Sequence, residues 1–138
     1  MDILVLENFL SSSVRMATPL LIAALGLAIS ERSGLINIGV EGIMLMAAFG
    51  AYTGARLTDS YWLGLLVGII FALVTILAFA IPTITYKANQ IIVGTAINIL
   101  CTGLSSFLYR WIFYGTGRLD DGIAAVTFPV IEIPLLAD

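Results

Sequence analysis

Residues 61–85, YWLGLLVGIIFALVTILAFAIPTIT, carry no charged side chain. Roughly 20 apolar residues at about 1.5 Å rise each cross the hydrocarbon core of a bilayer. Lipid offers the backbone no hydrogen-bonding partners, so a segment of this kind has to be a helix. Three more apolar runs occupy residues 9–29, 35–55 and 91–114. The stretches between the four are short: ERSG (31–34), RLTDSY (56–61) and YKANQ (86–90). The pattern predicts an all-α, polytopic membrane protein with about four transmembrane helices, sequential neighbours antiparallel. Residues 1–138 form one unit. Its last part, 115–138 (GTGRLDDGIAAVTFPVIEIPLLAD), reads as an extramembrane segment with little helix and a short strand or hairpin around 126–133.

Composition supports the bilayer as solvent. Hydrophobic residues make up 60% of the chain and charged residues 11%, against about 25% charged in a soluble domain. The net charge is −3 with no basic tract, which argues against nucleic-acid binding and polybasic lipid binding. Histidine is absent and Cys101 is the single cysteine. A metal cluster, a disulfide framework and a Ser-His-Asp or Cys-His pair are therefore excluded within this chain, and no catalytic residue is assigned. Cys101 reads as a small buried residue of an apolar helix. The opening MDILVLENF carries Asp2 and Glu7 where a secretory signal needs positive charge. It reads equally well as a short interfacial helix or as the frayed start of the first span.

Three details bear on how the helices pack. Pro19 inside the first helix predicts a kink near the preceding turn. Gly50 and Gly54 form a small-xxx-small pair that lets helices approach closely. Thr95, Asn98, Thr102, Ser105 and Tyr109 recur at 3-4-3-4 spacing, a polar stripe that should face protein or water.

The unusual stretch is ERSGLINIGVEGIML, residues 31–45. Helical numbering would place Glu41 about 10 Å beyond the ERSG turn, where a carboxylate costs roughly 2.5 kcal/mol or more. Asn37 and Glu41, at i and i+4, would share a face. Gly34, Gly39 and Gly42 around them would allow close packing or local unwinding. Two readings follow. Glu41 is either part of a polar pathway, or a helix–helix clamp bonded to Arg32, Arg15 or backbone amides. Arg15 reads in turn as a snorkelling anchor or as an acid's partner. Asn98 reads as a bundle-facing hydrogen-bonding residue. Gly-Thr-Gly at 115–117 lacks the Lys-Ser/Thr of a phosphate loop and reads as a turn.

ERSGLINIGVEGIMLMAAFGAY closely resembles the early signature of permease subunits of bacterial ABC importers of the branched-chain amino acid, ribose and nucleoside type. RMATPLLIAALGLAIS before it and ANQIIVGTAINILCTGLSSFLYR after it fit the same family, and best its simple-sugar/nucleoside branch. FPVIEIPLLAD resembles that branch's extracellular segment. The likeness covers nearly the whole chain. It implies a non-catalytic pore subunit, without a cofactor of its own, in the bacterial cytoplasmic (inner) membrane. The implied partners are an ABC ATPase, a second permease subunit or copy, and an extracellular substrate-binding lipoprotein. Asn37, Glu41, Asn98 and Thr102 would line or brace the pathway, and Gly34, Gly39, Gly42, Gly50 and Gly54 would pack helices. Nothing in the residues separates nucleoside from sugar.

The resemblance also implies a protein of roughly twice this length, so the chain reads as an N-terminal portion: a truncated gene, a split permease or a fragmentary sequence. A non-transporting remnant is the alternative function, and an ion-driven secondary carrier using Glu41 is another. Family orientation implies an outside N-terminus with ERSG and YKANQ cytoplasmic; a plain count of positive residues favours the reverse.

Overall fold

A computed structural model describes residues 3–114. Four helices follow one another: α1 (Ile3–Arg32), α2 (Val40–Thr58), α3 (Tyr61–Ala80) and α4 (Gln90–Tyr109). Single π-helical turns extend α3 (Ile81–Thr85) and α4 (Arg110–Tyr114). No strand occurs among the described residues. The expected strand or hairpin around 126–133, and the whole 115–138 segment, lie outside them.

Three helical segments are long and apolar enough to cross a membrane: Val5–Arg32, Tyr61–Thr85 and Gln90–Tyr114. The expected fourth helix is present as α2, with a shifted start. That helix begins at Val40 rather than at residue 35 and carries Glu41 and Arg56 within 19 residues. α1 is longer than the 9–29 expected and starts at Ile3 as one continuous helix that runs through Pro19. Thr18 donates its hydroxyl to the Val14 carbonyl at 2.8 Å within it. α1 stands apart from the other three, with none of its apolar window buried.

α2, α3 and α4 form the packed unit. Asp59 closes α2 in the left-handed region (φ 51°) and Ser60 opens α3, so α2 and α3 are an antiparallel hairpin. Glycines let them meet backbone to backbone. A Cβ on Gly64 would stand 2.6 Å from Ala55 Cβ and 2.8 Å from the Ala51 carbonyl oxygen. One on Gly68 would stand 2.9 Å from the Ala47 carbonyl oxygen, and one on Gly54 2.8 Å from Val67 Cβ. Of the expected pair, Gly54 meets Gly64 of α3 and Gly50 meets Phe71; α3 carries its own pair, Gly64 and Gly68, written as GLLVG in the sequence.

Pro82 has no N–H to continue α3, and the turn there widens, with the Tyr86 amide reaching the Ile81 carbonyl at 3.4 Å. Thr83 sends its hydroxyl to the Phe79 carbonyl at 2.8 Å. After the turn, Asn89 caps α4, its Oδ1 accepting from the amides of Ile91 (3.0 Å) and Ile92 (3.4 Å). α4 then runs back antiparallel to α3 and therefore parallel to α2. Met46, Phe79, Ile97 and Cys101 form the buried cluster where the three helices meet.

Candidate functional site

The chain does not enter α2 as a helix. Gly34 turns it with φ +83°, residues 35–37 are non-helical, and a turn at 38–39 leads into Val40. Backbone groups freed in this way need partners, and α4 supplies them from one face. Gln90 Oε1 accepts from the Ile36 amide at 2.6 Å, and its Nε2 donates to the Gly34 carbonyl at 3.3 Å. Two turns on, Asn98 Nδ2 donates to the Ile38 carbonyl at 3.0 Å and its Oδ1 accepts from the Gly42 amide at 2.8 Å. Between the two lies Gly94, where a Cβ would stand 2.9 Å from the Gly39 nitrogen. Gln90, Gly94 and Asn98, spaced i, i+4, i+8, thus hold the 34–42 segment directly against the α4 backbone.

This geometry corrects several expectations. Asn37 and Glu41 do not share a helix face, because Asn37 precedes the N-cap residue Gly39. Glu41 is in the first turn of α2 and exposed, not 10 Å along a helix. There the partial positive charge of the helix N-terminus favours a carboxylate. Its side chain forms no ion pair among the described residues, so neither Arg15 nor Arg32 clamps it. Gly34 packs nothing: it is exposed, with no atom within 4 Å of an added Cβ. Gly39 and Gly42 do lie against α4, Gly42 with Asn98 Oδ1 2.9 Å and Cys101 Cβ 3.2 Å from an added Cβ. Asn37 is half-buried, and its Oδ1 has no hydrogen-bond partner among the described residues; the same is true of Thr53 Oγ1.

On the outward side of this junction a groove runs between the parallel helices α2 and α4. Glu41 shares with Leu45, Ala48 and Tyr52 the face set by 3-4 spacing. Leu45, Ala48 and Tyr52 line a cavity of about 480 Å³ together with Ser105, Ser106, Tyr109 and Arg110 of α4 and its extension. Thr102 is exposed on α4 beside Asn98, to whose carbonyl it donates at 2.8 Å. Both border a shallow depression with Ile99 and Gly103. The hydroxyls of Thr95 and Ser106 likewise return to carbonyls one turn back, at 2.9 Å each, the usual way for such groups to sit in an apolar helix. A second cavity of about 290 Å³, between α3 and α4, is lined by Met46, Ile70, Val74, Ala78, Leu100 and Leu104, among others. Its one hydroxyl, that of Thr75, is already bonded to the Phe71 carbonyl at 2.8 Å.

Sequence reasoning found Asn98 but missed Gln90, Gly94 and the tyrosine–arginine end of the groove. Gln90 closes the short YKANQ connection in the sequence, and its i, i+4, i+8 relation to Gly94 and Asn98 is the signal that marks it.

Membrane-crossing helices around a partly polar groove define a multi-pass, all-helical membrane protein. The chain belongs to the family of branched-chain amino acid transport system permease components, whose profile matches residues 9–132. It is 39% identical over 95% of its length to a Haloferax volcanii protein named as a glucose ABC transporter permease, TsgC13. It is 35% identical over 87% of its length to the guanosine ABC transporter permease protein NupQ of Bacillus subtilis. Over 83% it is 31% identical to the nucleoside ABC transporter permease protein NupC of Lactococcus lactis. The alignments cover 40%, 40% and 38% of those relatives, so the chain spans about two fifths of their length. No solved structure matches it.

Proposed function

We propose that the chain is part of the membrane-spanning subunit of an ATP-driven importer of nucleosides or simple sugars, in a bacterial cytoplasmic membrane. The observation that carries this reading is the groove between α2 and α4, lined by two serines, three tyrosines and an arginine in a chain of a permease family. The subunit itself performs no chemistry and needs no cofactor. A partner ABC ATPase hydrolyses ATP, a second permease subunit or copy completes the pathway, and an extracellular lipoprotein delivers solute. Closure of the ATPases rocks the two permease halves so that the cavity opens to alternate sides. Asn98 braces the start of α2, Thr102 lines the neighbouring depression, Glu41 lies one turn before Leu45 on the groove-lining side of α2, and Asn37 lies in the braced segment.

Deleting the gene in its own cells should lower uptake of labelled guanosine or labelled glucose. The uptake lost should depend on ATP and survive collapse of the proton gradient. Uptake of both solutes unchanged by deletion would reject the reading; uptake that vanishes with the proton gradient alone would replace it with an ion-driven carrier.

A further inference from the structure

The far end of the groove differs from the apolar surface around it. The π-helical turn Arg110–Tyr114 widens the end of α4, a distortion that recurs at functional sites. It brings Phe113, 3% exposed, into contact with rings of both helices. The Phe113 ring centroid is 5.0 Å from that of Tyr109 and 5.7 Å from that of Tyr52. Two tyrosines on separate helices are thereby fixed by one buried phenylalanine and line the same 480 Å³ cavity, a volume suited to a small molecule. Trp111 and Phe107, 70% and 63% exposed, do not line this groove, whereas Tyr52 and Tyr109 do.

The polar groups here are also unspent. The hydroxyls of Ser105 and Ser106 both donate to the Thr102 carbonyl, at 3.1 and 2.9 Å, which leaves their oxygens able to accept. Among the described residues the phenol groups of Tyr52 and Tyr109 and the guanidinium of Arg110 have no hydrogen-bond partner. Arg110 offers donors in a fixed planar fork, the phenols both donate and accept, and the ring faces are apolar. An ionisable residue in a membrane helix is by itself a pointer to function; here it lines an open groove. The α3–α4 cavity offers no comparable set.

From this arrangement we infer that the pocket of Tyr52, Ser106, Tyr109 and Arg110 is a binding site for a hydroxylated sugar ring, free or within a nucleoside. One ring face lies against a tyrosine, and the hydroxyls bond to Arg110, Ser106 and a phenol. The inference rests on the importer reading and assigns that reading a solute site.

The test uses the gene at its own locus in intact cells, with Cys101→Ala as background and Ser106→Cys added. The rate at which a small maleimide modifies the introduced thiol is measured with no solute, with guanosine and with glucose. One of the two should slow modification about fivefold or more, and which one does distinguishes a nucleoside from a free sugar. Adding Arg110→Gln should abolish the protection, and Tyr109→Phe, which keeps the ring, should weaken it a few-fold. Trp111→Phe should leave it unchanged. Immunoblots of membranes establish that each variant is present at normal abundance. If the cells take up a solute through this protein but neither solute slows modification, the pocket is not the solute site and the importer reading stands. If deletion of the gene changes uptake of neither solute and neither protects, both fall together.

Discussion

Asn98 caps a helix to which it does not belong: its side-chain oxygen, on α4, accepts the Gly42 amide of α2 at 2.8 Å. Gly39, the residue in the capping position, contributes no side-chain bond. The start of α2 is therefore fixed by a neighbour, and its position is set by the register of α4.

Removing that amide should destabilise the chain through a lost cap and an unsatisfied buried N–H. Asn98→Ala should lower unfolding free energy in mixed micelles by about 1–3 kcal/mol. Thr102→Ala, which loses only an exposed hydroxyl bonded within its own helix, should change it by about 0.5 kcal/mol or less. Equal effects in a denaturant titration would remove the special status of Asn98.

Gln90 should matter locally. In Gln90→Ala the amide of Ile36 loses its acceptor, so its hydrogen exchange should accelerate while that of Gly42 stays protected. Exchange at Ile36 no faster than in the parent chain would mean that the 34–39 segment is held by something other than this side chain.

The hairpin interface makes a sharp contrast between glycines. Gly64→Ala forces α2 and α3 apart, because its Cβ would meet backbone rather than a flexible side-chain end. A loss of about 1–3 kcal/mol is expected. Gly103→Ala, with nothing within 4 Å, should be neutral or gain up to about 1 kcal/mol from helix propensity. The same denaturant titration in micelles reads both.

Tyr61–Thr85 is long and apolar enough to cross a membrane, so the two ends of that segment should face opposite compartments. A membrane-impermeant maleimide added to intact cells should label either Thr58→Cys or Tyr86→Cys, but not both, in the Cys101→Ala background. Labelling at Thr58→Cys fits the family orientation, labelling at Tyr86→Cys the charge count, and labelling at both would break the topology.

Glu41→Ala removes a carboxylate that interacts favourably with a helix N-terminus, worth about 0.3–1 kcal/mol. Stability should therefore change little. If the proposed importer reading holds and Glu41 acts in the pathway, uptake should nonetheless fall several-fold at normal membrane abundance. Unchanged uptake would leave Glu41 with a helix-terminal role alone.

The sequence carried the helices well and their junctions poorly. Residues 61–85 were legible because the bilayer imposes one solution on a charge-free run of that length, and the turn at Pro82 adjusts this helix without ending it. The start of α2 was not legible. LINIGVEG has the composition of a helix start, and what keeps Leu35 to Gly39 out of a helix is a pair of amides 54 and 56 or more residues away. Long-range satisfaction of that kind leaves no local signature. The same holds for the pocket: Tyr52 and Tyr109 are ordinary positions on two helices until Phe113 brings them together.

The glycine seam between α2 and α3 has a consequence for how the protein is made. α2 is the least lipid-compatible of the four helices, yet its close fit to the apolar α3 hides much of its backbone from lipid. During synthesis the two should partition from the translocon as one hairpin, with α3 drawing α2 in. Translation arrested after Thr58 would strand α2 at the interface, and insertion would be complete once α3 had emerged. The seam that packs the finished hairpin should thus also set the order of assembly.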